Sequence, residues 1–173
     1  MDFLQAIKDR MPEYAKDIRL NLDSTIARSS LTREDAIAVA LAAAFATRSK
    51  PLIDAFKAAV PPAQGYAALA AAALMGMNNV WYPYLEMADD ADLKTQRAEL
   101  RMNAYAAHGG VAKAQFESYA LAASIVGKCH FCVQSHYALL KQEGLTTQQL
   151  RDIGRIAAVV NAAAQVLAAE SAD

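Results

Sequence analysis

The two cysteines of the chain and a nearby histidine have a spacing that suits thiol chemistry. Cys129 and Cys132 are separated by two residues, and His136 follows the second cysteine after three more. On an α-helix these three positions lie on one face, because residues three, four and seven apart point the same way. Two cysteines one turn apart fall within the Cα separation of about 4.4 to 6.8 Å that a disulfide tolerates. The pair can therefore form and break an S–S bond with little movement of the backbone.

The two thiols differ in what surrounds them. Cys129 is expected in the first turn of the helix, where free backbone N–H groups and the helix dipole favour a thiolate, and Lys128 adds a positive charge. Cys132 has His136 four residues on, so the imidazole can accept or return the thiol proton near neutral pH. The first argument favours Cys129 as the more acidic thiol, and the second favours Cys132 as a nucleophile with its own base.

Other interpretations of the cysteine pair have different requirements. Two free cysteines packed in a core helix are common. A zinc site needs a fourth ligand, and a single helical turn is an awkward chelate for tetrahedral geometry, so we expect no bound metal. Covalent haem attachment requires a histidine directly after the second cysteine, where this chain has Val133. The spacing favours a redox-active dithiol without a bound cofactor, with packed free cysteines as the alternative.

Glu117 is the next candidate, because it lies in an otherwise apolar stretch, Phe116 to Val126, just before the cysteines. If it is buried, desolvation is expected to raise the pKa of its carboxyl toward values useful for proton transfer. The alternative is an ordinary surface ion pair with Lys113, four residues earlier. The sequence alone does not favour either.

The elements that position these residues are predicted to be helices. The chain contains 40 alanines among its 173 residues, whereas valine, isoleucine and threonine together contribute 23. Alanine is the best helix former and β-branched residues favour strands, so we expect an all-α fold, as one domain over residues 1–173. The predicted helices are two within residues 2–28, one over the apolar run 36–46, a short one from Pro51 to Pro61, and four more at 63–87, 111–126, 129–143 and 146–169.

The segment 63–87 is nearly apolar on all sides as far as Val80, so we expect it in the interior, with Pro83 kinking or ending it. Asn78 and Asn79 are expected to satisfy buried backbone or inter-subunit groups. The charged segment 89–101 that follows is predicted to be solvated.

Charge and hydropathy exclude several classes of function. The net charge is −1, from 17 basic and 18 acidic residues without a basic stripe, which disfavours nucleic-acid binding. The longest purely apolar stretch, Ala36 to Ala46, is shorter than the about 20 residues of a membrane span. The first ten residues carry charges where a signal peptide needs an apolar core. We therefore expect a cytoplasmic protein that binds neither nucleic acid nor membrane.

The pattern of Glu117, eleven further residues and then Cys129-x-x-Cys132-x-x-x-His136 resembles the active-site pattern of the alkylhydroperoxidase D (AhpD) family in the carboxymuconolactone decarboxylase-like superfamily. The resemblance covers nearly the whole chain. It includes three further stretches: residues 12–18, residues 73–82 and residues 100–103.

The resemblance implies a multi-helix domain that assembles as a homotrimer and reduces organic hydroperoxides as a lipoyl-dependent peroxidase. It implies that electrons come from the dihydrolipoyl group of a lipoylated acyltransferase, and that the protein can regenerate the peroxiredoxin AhpC. By the same resemblance Cys132 forms the sulfenic acid, Cys129 is the proton donor and resolving thiol, and Glu117 with His136 relays protons. We favour Cys132 as nucleophile, because a peroxide-reducing step needs a general acid and base as well as a thiolate.

Two departures from the family pattern affect the surroundings of the site. The family often has a histidine just before the second cysteine, whereas this chain has Phe131 there and His130 one position earlier. Pro83 occupies a position where the resemblance leads us to expect arginine. The alternative function is a disulfide oxidoreductase or redox-sensing module without peroxidase activity.

Overall fold

The computed structural model describes residues 1–170, and this part of the chain contains helices and no strand. The prediction of an all-α fold is confirmed, and the last three residues of the predicted domain, 171–173, lie outside the described residues. Short 3₁₀ turns occur at Asp2–Leu4, Glu13–Ala15 and His108–Gly110. The α-helices are α1 (Gln5–Lys8), α2 (Lys16–Ala27), α3 (Arg33–Thr47), α4 (Lys50–Ala59), α5 (Pro62–Ala88), α6 (Ala91–Thr95), α7 (Asn103–Ala106), α8 (Lys113–Gly127), α9 (His130–Gln142) and α10 (Thr147–Ala169).

Helix α3 forms the centre of the core. Every residue from Ala36 to Ala44 is at most 2% exposed, and α3 packs against α5, α8 and α10. Six of these nine residues are alanine, and side chains this small let neighbouring helices approach closely on every side. The apolar run 36–46 therefore forms an interior helix, fully surrounded over residues 36–44.

Helix α5 is buried on one face only, so the expectation that the whole segment is interior was wrong. Its residues Ala68, Ala71 and Met75 are fully buried against α3 and α8, whereas Val80 is 69% and Met87 is 78% exposed. Tyr66 in the first half of the helix is also exposed, so the uncovered face runs along both halves. It also continues through Pro83 to Ala88 instead of ending there.

Helix ends follow the local signals of the sequence. The Thr32 side chain accepts a hydrogen bond from the Asp35 N–H at 3.2 Å and begins α3. Thr146 and Gln149 form a capping box at the start of α10. Gly127 is the last residue of α8, one residue beyond the predicted end, and the next residue takes up a left-handed backbone conformation. These caps fix where α3 and α10 begin and where α8 ends.

Helix α10 is long and apolar enough, by length and composition alone, to cross a membrane. Its apolar residues, however, pack against α2, α3 and α8, and Ile153, Ile156 and Val160 are fully buried there. A core helix that is buried against other helices passes the same test of length and composition, so the test alone does not indicate a membrane span.

Asp152 ties the first turns of α10 to the segment between α2 and α3. Its buried carboxylate accepts hydrogen bonds from the Ser30 N–H at 2.9 Å and the Ser30 hydroxyl at 2.8 Å. Arg151 and Arg155 donate to its other oxygen. Burial alone would raise the pKa of this carboxyl, but these hydrogen bonds outweigh it and lower the pKa to about 2.

We expect Asp152→Asn to lower the free energy of unfolding at pH 7 by about 1–3 kcal/mol, because an amide NH2 group replaces one of the two buried oxygens that together accept five hydrogen bonds. The folded pKa of Asp152, about 2, lies below that of an unfolded aspartate. The stabilisation is therefore complete above about pH 4 and is lost as the pH falls further. Urea unfolding at pH 7 and pH 3 measures both effects. Asp54→Asn, at an exposed ion pair with Lys50, is the control and changes stability little; equal curves for Asp152→Asn and wild type would contradict the prediction.

Candidate active site

Cys129 and Cys132 are joined by a disulfide at the start of α9. Their Cα atoms are 5.3 Å apart, within the range that the spacing predicts. Cys129 is the N-cap residue, and α9 itself begins one residue later than expected, at His130. The Cys129 sulfur accepts a hydrogen bond from the Cys132 backbone N–H at 3.2 Å. The helix N-terminus is thus directed at the Cys129 sulfur, as a thiolate there would require.

The two sulfurs differ in their access to solvent. Cys129 is fully buried, whereas Cys132 is 3% exposed and lies on the wall of an open cavity of about 380 Å³. A small molecule that enters the cavity therefore meets Cys132 first. The other walls come from α5, α7 with its N-cap residue, and α9, through Asn78, Tyr82, Met102, Tyr105, Ala106, Phe131, Ser135 and His136.

His136, one helical turn after Cys132, lines the same cavity and is held by a buried carboxylate. Its Nδ1 lies 2.5 Å from Glu117 Oε2, and neither side chain is more than 7% exposed. The carboxylate can only accept, so Nδ1 carries the hydrogen and Nε2 is the nitrogen at which the ring can gain or lose a proton. Nε2 lies 3.1 Å from the sulfur of Met75 on α5. The chain thus fixes the tautomer and the direction of the imidazole.

Glu117 is fully buried on α8. Of the two interpretations of its surroundings, the buried carboxylate is therefore the one that the structure supports. Lys113 pairs with Glu143 at 2.8 Å instead, so the surface ion pair expected under the other interpretation is not formed. The expected direction of the pKa shift was wrong. Burial would raise the pKa of the Glu117 carboxyl, but hydrogen bonds from His136 and Tyr105 outweigh it and leave the pKa below its usual range. Glu117 is therefore a carboxylate at neutral pH.

Tyr105 is a site residue that the sequence did not reveal. Its hydroxyl donates a hydrogen bond to Glu117 Oε1, on the carboxylate oxygen that His136 leaves unused. Burial, together with the Glu117 charge, raises the pKa of Tyr105 well above its usual value, so the hydroxyl stays a donor. Tyr105 lies on the four-residue helix α7, and no spacing links it to Glu117 twelve residues later.

The two residues between the cysteines have different surroundings. The Phe131 ring stacks on Tyr82 with centroids 4.2 Å apart, and both rings line the cavity. His130 is 78% exposed, lies 3.7 Å from Glu86, and is absent from the cavity wall. Beside Cys132 the cavity is thus bordered by an aromatic pair, where the family pattern often has a histidine.

Comparison with known proteins shows which family the chain resembles along its length. Residues 91–172 match the sequence model described as the carboxymuconolactone decarboxylase family. Over 98% of its length the chain is 43% identical to "Alkyl hydroperoxide reductase AhpD" of Rhodospirillum centenum, covering 92% of that protein. The protein of that name from Maricaulis maris is 42% identical, with 97% of this chain and 99% of the relative covered. A third, from Coxiella burnetii, is 37% identical, with 94% and 96% covered.

Proposed function

Because the chain belongs to the alkylhydroperoxidase D (AhpD) family of the carboxymuconolactone decarboxylase-like superfamily, we propose that it is an antioxidant peroxidase that reduces alkyl hydroperoxides with electrons from a dihydrolipoyl donor. The observation that carries the proposal is the Cys129–Cys132 disulfide beside a cavity. Cys132 is the sulfur on its wall, and one helical turn further on the same cavity is lined by an imidazole that a buried carboxylate orients. A peroxide needs two electrons, and a dithiol that closes to a disulfide supplies two.

In the first step the Cys132 thiolate attacks the terminal oxygen of the hydroperoxide. The S–O bond forms as the O–O bond breaks, the sulfur is oxidised to a sulfenic acid, and the leaving alkoxide takes a proton to become the alcohol. That proton comes from His136, which accepted it from the Cys132 thiol, directly or through one water. Cys132 fits this role because it is the sulfur that lines the cavity.

In the second step the Cys129 thiol attacks the Cys132 sulfenic acid. The S–S bond forms, the S–O bond breaks, and the oxygen leaves as water with the Cys129 proton. The dithiol donor then attacks the disulfide through a mixed disulfide and leaves as its own cyclic disulfide, which restores both thiols. Buried Cys129 suits the resolving role, because its sulfur need not meet the peroxide.

The Glu117 carboxylate serves as a fixed negative charge in this scheme. Its lowered pKa keeps it ionised, so it orients the His136 ring and stabilises the imidazolium that forms when Cys132 loses its proton. The proton moves between His136 and the reacting atoms and does not pass to Glu117.

Tyr105 positions Glu117 in this scheme. We expect Tyr105→Phe to lower the rate of peroxide reduction by about 3- to 10-fold, because one hydrogen bond of about 1 kcal/mol is lost. With one donor lost, the pKa of Glu117 rises, so the acid limb of the pH–rate profile moves to higher pH. Stopped-flow measurement of peroxide reduction between pH 4 and 8 records both. Tyr82→Phe, at another tyrosine of the cavity wall, is the control; equal profiles for the two variants would refute the role.

The proposed partners supply and receive electrons. We propose that the donor is the dihydrolipoyl group of a lipoylated acyltransferase, that the substrate is an organic hydroperoxide, and that the reduced protein can regenerate the peroxiredoxin AhpC. The disulfide is reached from the cavity through Cys132, which supports attack by a dithiol on a flexible arm. No bound cofactor or metal takes part in the proposed scheme.

We propose that the chain is a single AhpD-like helical domain that forms a homotrimer in the cytoplasm. Val80, Tyr84 and Met87 on α5 and Leu100 after α6 are large apolar side chains that the described chain leaves exposed. Contact between copies would cover such side chains. A reducing compartment suits a cycle in which the disulfide is reopened in every turnover.

The proposed function is tested by the consumption of cumene hydroperoxide with dihydrolipoamide as donor. We expect one equivalent of alcohol for each equivalent of oxidised lipoamide. If the protein exchanges its disulfide with dihydrolipoamide but consumes no hydroperoxide, it is a disulfide oxidoreductase or redox sensor, and the peroxidase proposal is wrong.

A further inference from the structure

Asn78 lies on α5 with its side chain at the cavity that contains Cys132 and His136. It is 7% exposed, yet its side-chain amide forms no hydrogen bond with any described residue of the chain. Asn79, the next residue, is different: its Nδ2 donates to the Ala123 carbonyl at 3.1 Å, which joins α5 to α8. The expectation that both amides satisfy buried backbone or inter-subunit groups is confirmed for the Asn79 N–H and its backbone partner, whereas the Asn78 side chain has no such backbone partner within the described chain.

An amide that is nine-tenths buried needs hydrogen-bond partners, because leaving its N–H groups unpaired costs free energy. The Asn78 side chain carries two N–H donors and one acceptor oxygen. The other polar side chains of the cavity are held by Glu117 or are more exposed than Asn78, and Tyr82 is among the more exposed ones. Tyr105 and His136 are bound to Glu117, and Ser135 is exposed. Asn78 is thus the buried side chain on this wall that is free to bind an incoming molecule.

Asn78 is also in contact with the sulfur that faces the cavity. Its backbone carbonyl oxygen lies 3.7 Å from Cys132 Sγ. A molecule that approaches this sulfur from the cavity therefore passes the residue that carries the free amide. One turn further along α5, Tyr82 and the Phe131 ring stacked on it line the same cavity, and these aromatic rings suit the apolar part of an organic hydroperoxide.

We propose that Asn78 is a catalytic residue that binds the hydroperoxide through its side-chain amide. This inference rests on the proposed function. As the S–O bond forms and the O–O bond breaks, the electron pair of the O–O bond passes to the departing alkyl-bearing oxygen. An N–H of Asn78 donates to that oxygen while its negative charge develops, and the His136 proton completes the alcohol. Donors placed where charge develops in a transition state contribute most to the rate.

The test separates the two half-reactions in Asn78→Leu, which keeps a similar volume without donors, and in Asn78→Ala, in case leucine does not fit. We expect the rate constant for reduced protein with cumene hydroperoxide to fall about 10²-fold in a folded variant, as when one donor to an oxyanion is removed. Reopening of the disulfide by dihydrolipoamide, and alkylation of reduced Cys132 by iodoacetamide, change less than about threefold, because neither involves the peroxide oxygen. Gln134→Ala, at an exposed position of α9 outside the cavity wall, is the control variant and leaves all three rates near wild type.

Two results would overturn the inference while the wild-type protein remains an active peroxidase. One is an unchanged peroxide step in the folded variants. The other is an equal loss in peroxide reduction, disulfide reopening and alkylation, which would assign Asn78 to the placement of the sulfur. If the wild-type protein itself reduces no hydroperoxide, the proposed function and this inference both fall.

Discussion

Replacement of Cys132 by serine is expected to abolish peroxide turnover, while replacement of Cys129 by serine is expected to preserve its first step. Without the Cys132 sulfur no atom on the cavity wall can attack the O–O bond, so the rate falls by about four orders of magnitude or more. With Cys129→Ser the thiolate of Cys132 still forms a sulfenic acid, but no internal disulfide can follow. Consumption then stops at one equivalent of peroxide per chain, unless the donor thiol resolves the sulfenic acid directly.

Stopped-flow and steady-state assays of the two variants, with hydroperoxide at defined equivalents, distinguish these behaviours. The pair is its own matched control, because each variant removes one sulfur of the same disulfide. The helix-dipole argument predicts the reverse pattern, with Cys129 as the attacking thiol. A single turnover in Cys132→Ser and none in Cys129→Ser would show that this argument is right and that access from the cavity does not choose the nucleophile.

Replacement of Glu117 by glutamine is expected to lower peroxide reduction at pH 7 by about 10²- to 10³-fold, because the imidazolium of His136 loses its buried counter-charge. Glutamine has nearly the shape of glutamate, so circular dichroism and thermal unfolding can establish that the variant folds. Glu143→Gln makes the same chemical change at the partly exposed partner of Lys113 and is expected to leave the rate near wild type.

The coupling between Glu117 and His136 can be measured in the same series. If the carboxylate acts through the imidazole, as the 2.5 Å contact indicates, His136→Gln and the double variant have similar rates. If the fold-losses in rate of the two single variants instead multiply in the double variant, Glu117 acts on the reaction independently of His136.

Local signals predicted much of the fold. The alanine content indicates helices, and the caps at Thr32 and Thr146 could be identified because a capping side chain bonds to a backbone N–H only three residues away. The burial of α5 could not be predicted in the same way. An apolar sequence shows that a surface favours burial, but not which element covers it. No described element covers the face of α5 that carries Tyr66, Val80 and Met87.

The site shows the same division between local and distant contacts. Cys129, Cys132 and His136 belong to one helix and its cap, so their spacing alone indicated a shared position. The contact between Tyr105 and Glu117 crosses a turn in which Gly109 and Gly110 have positive φ, and spacing along the chain carries no information across such a turn. For this reason the pKa of Glu117 was expected to rise. Its burial could be predicted from its neighbours in sequence, but the donors that lower the pKa come from other helices.

The most direct test of the account identifies the sulfur that is oxidised first. Reduced Cys129→Ser protein is mixed with one equivalent of cumene hydroperoxide in the presence of dimedone, which traps sulfenic acids, and the labelled peptide is identified by mass spectrometry. The account predicts a dimedone adduct on Cys132 that forms within the first turnover. It also predicts that Cys132→Ser protein, treated in the same way, acquires no adduct on Cys129. Rapid labelling of Cys129, or no labelling of Cys132 while peroxide is consumed, would contradict it.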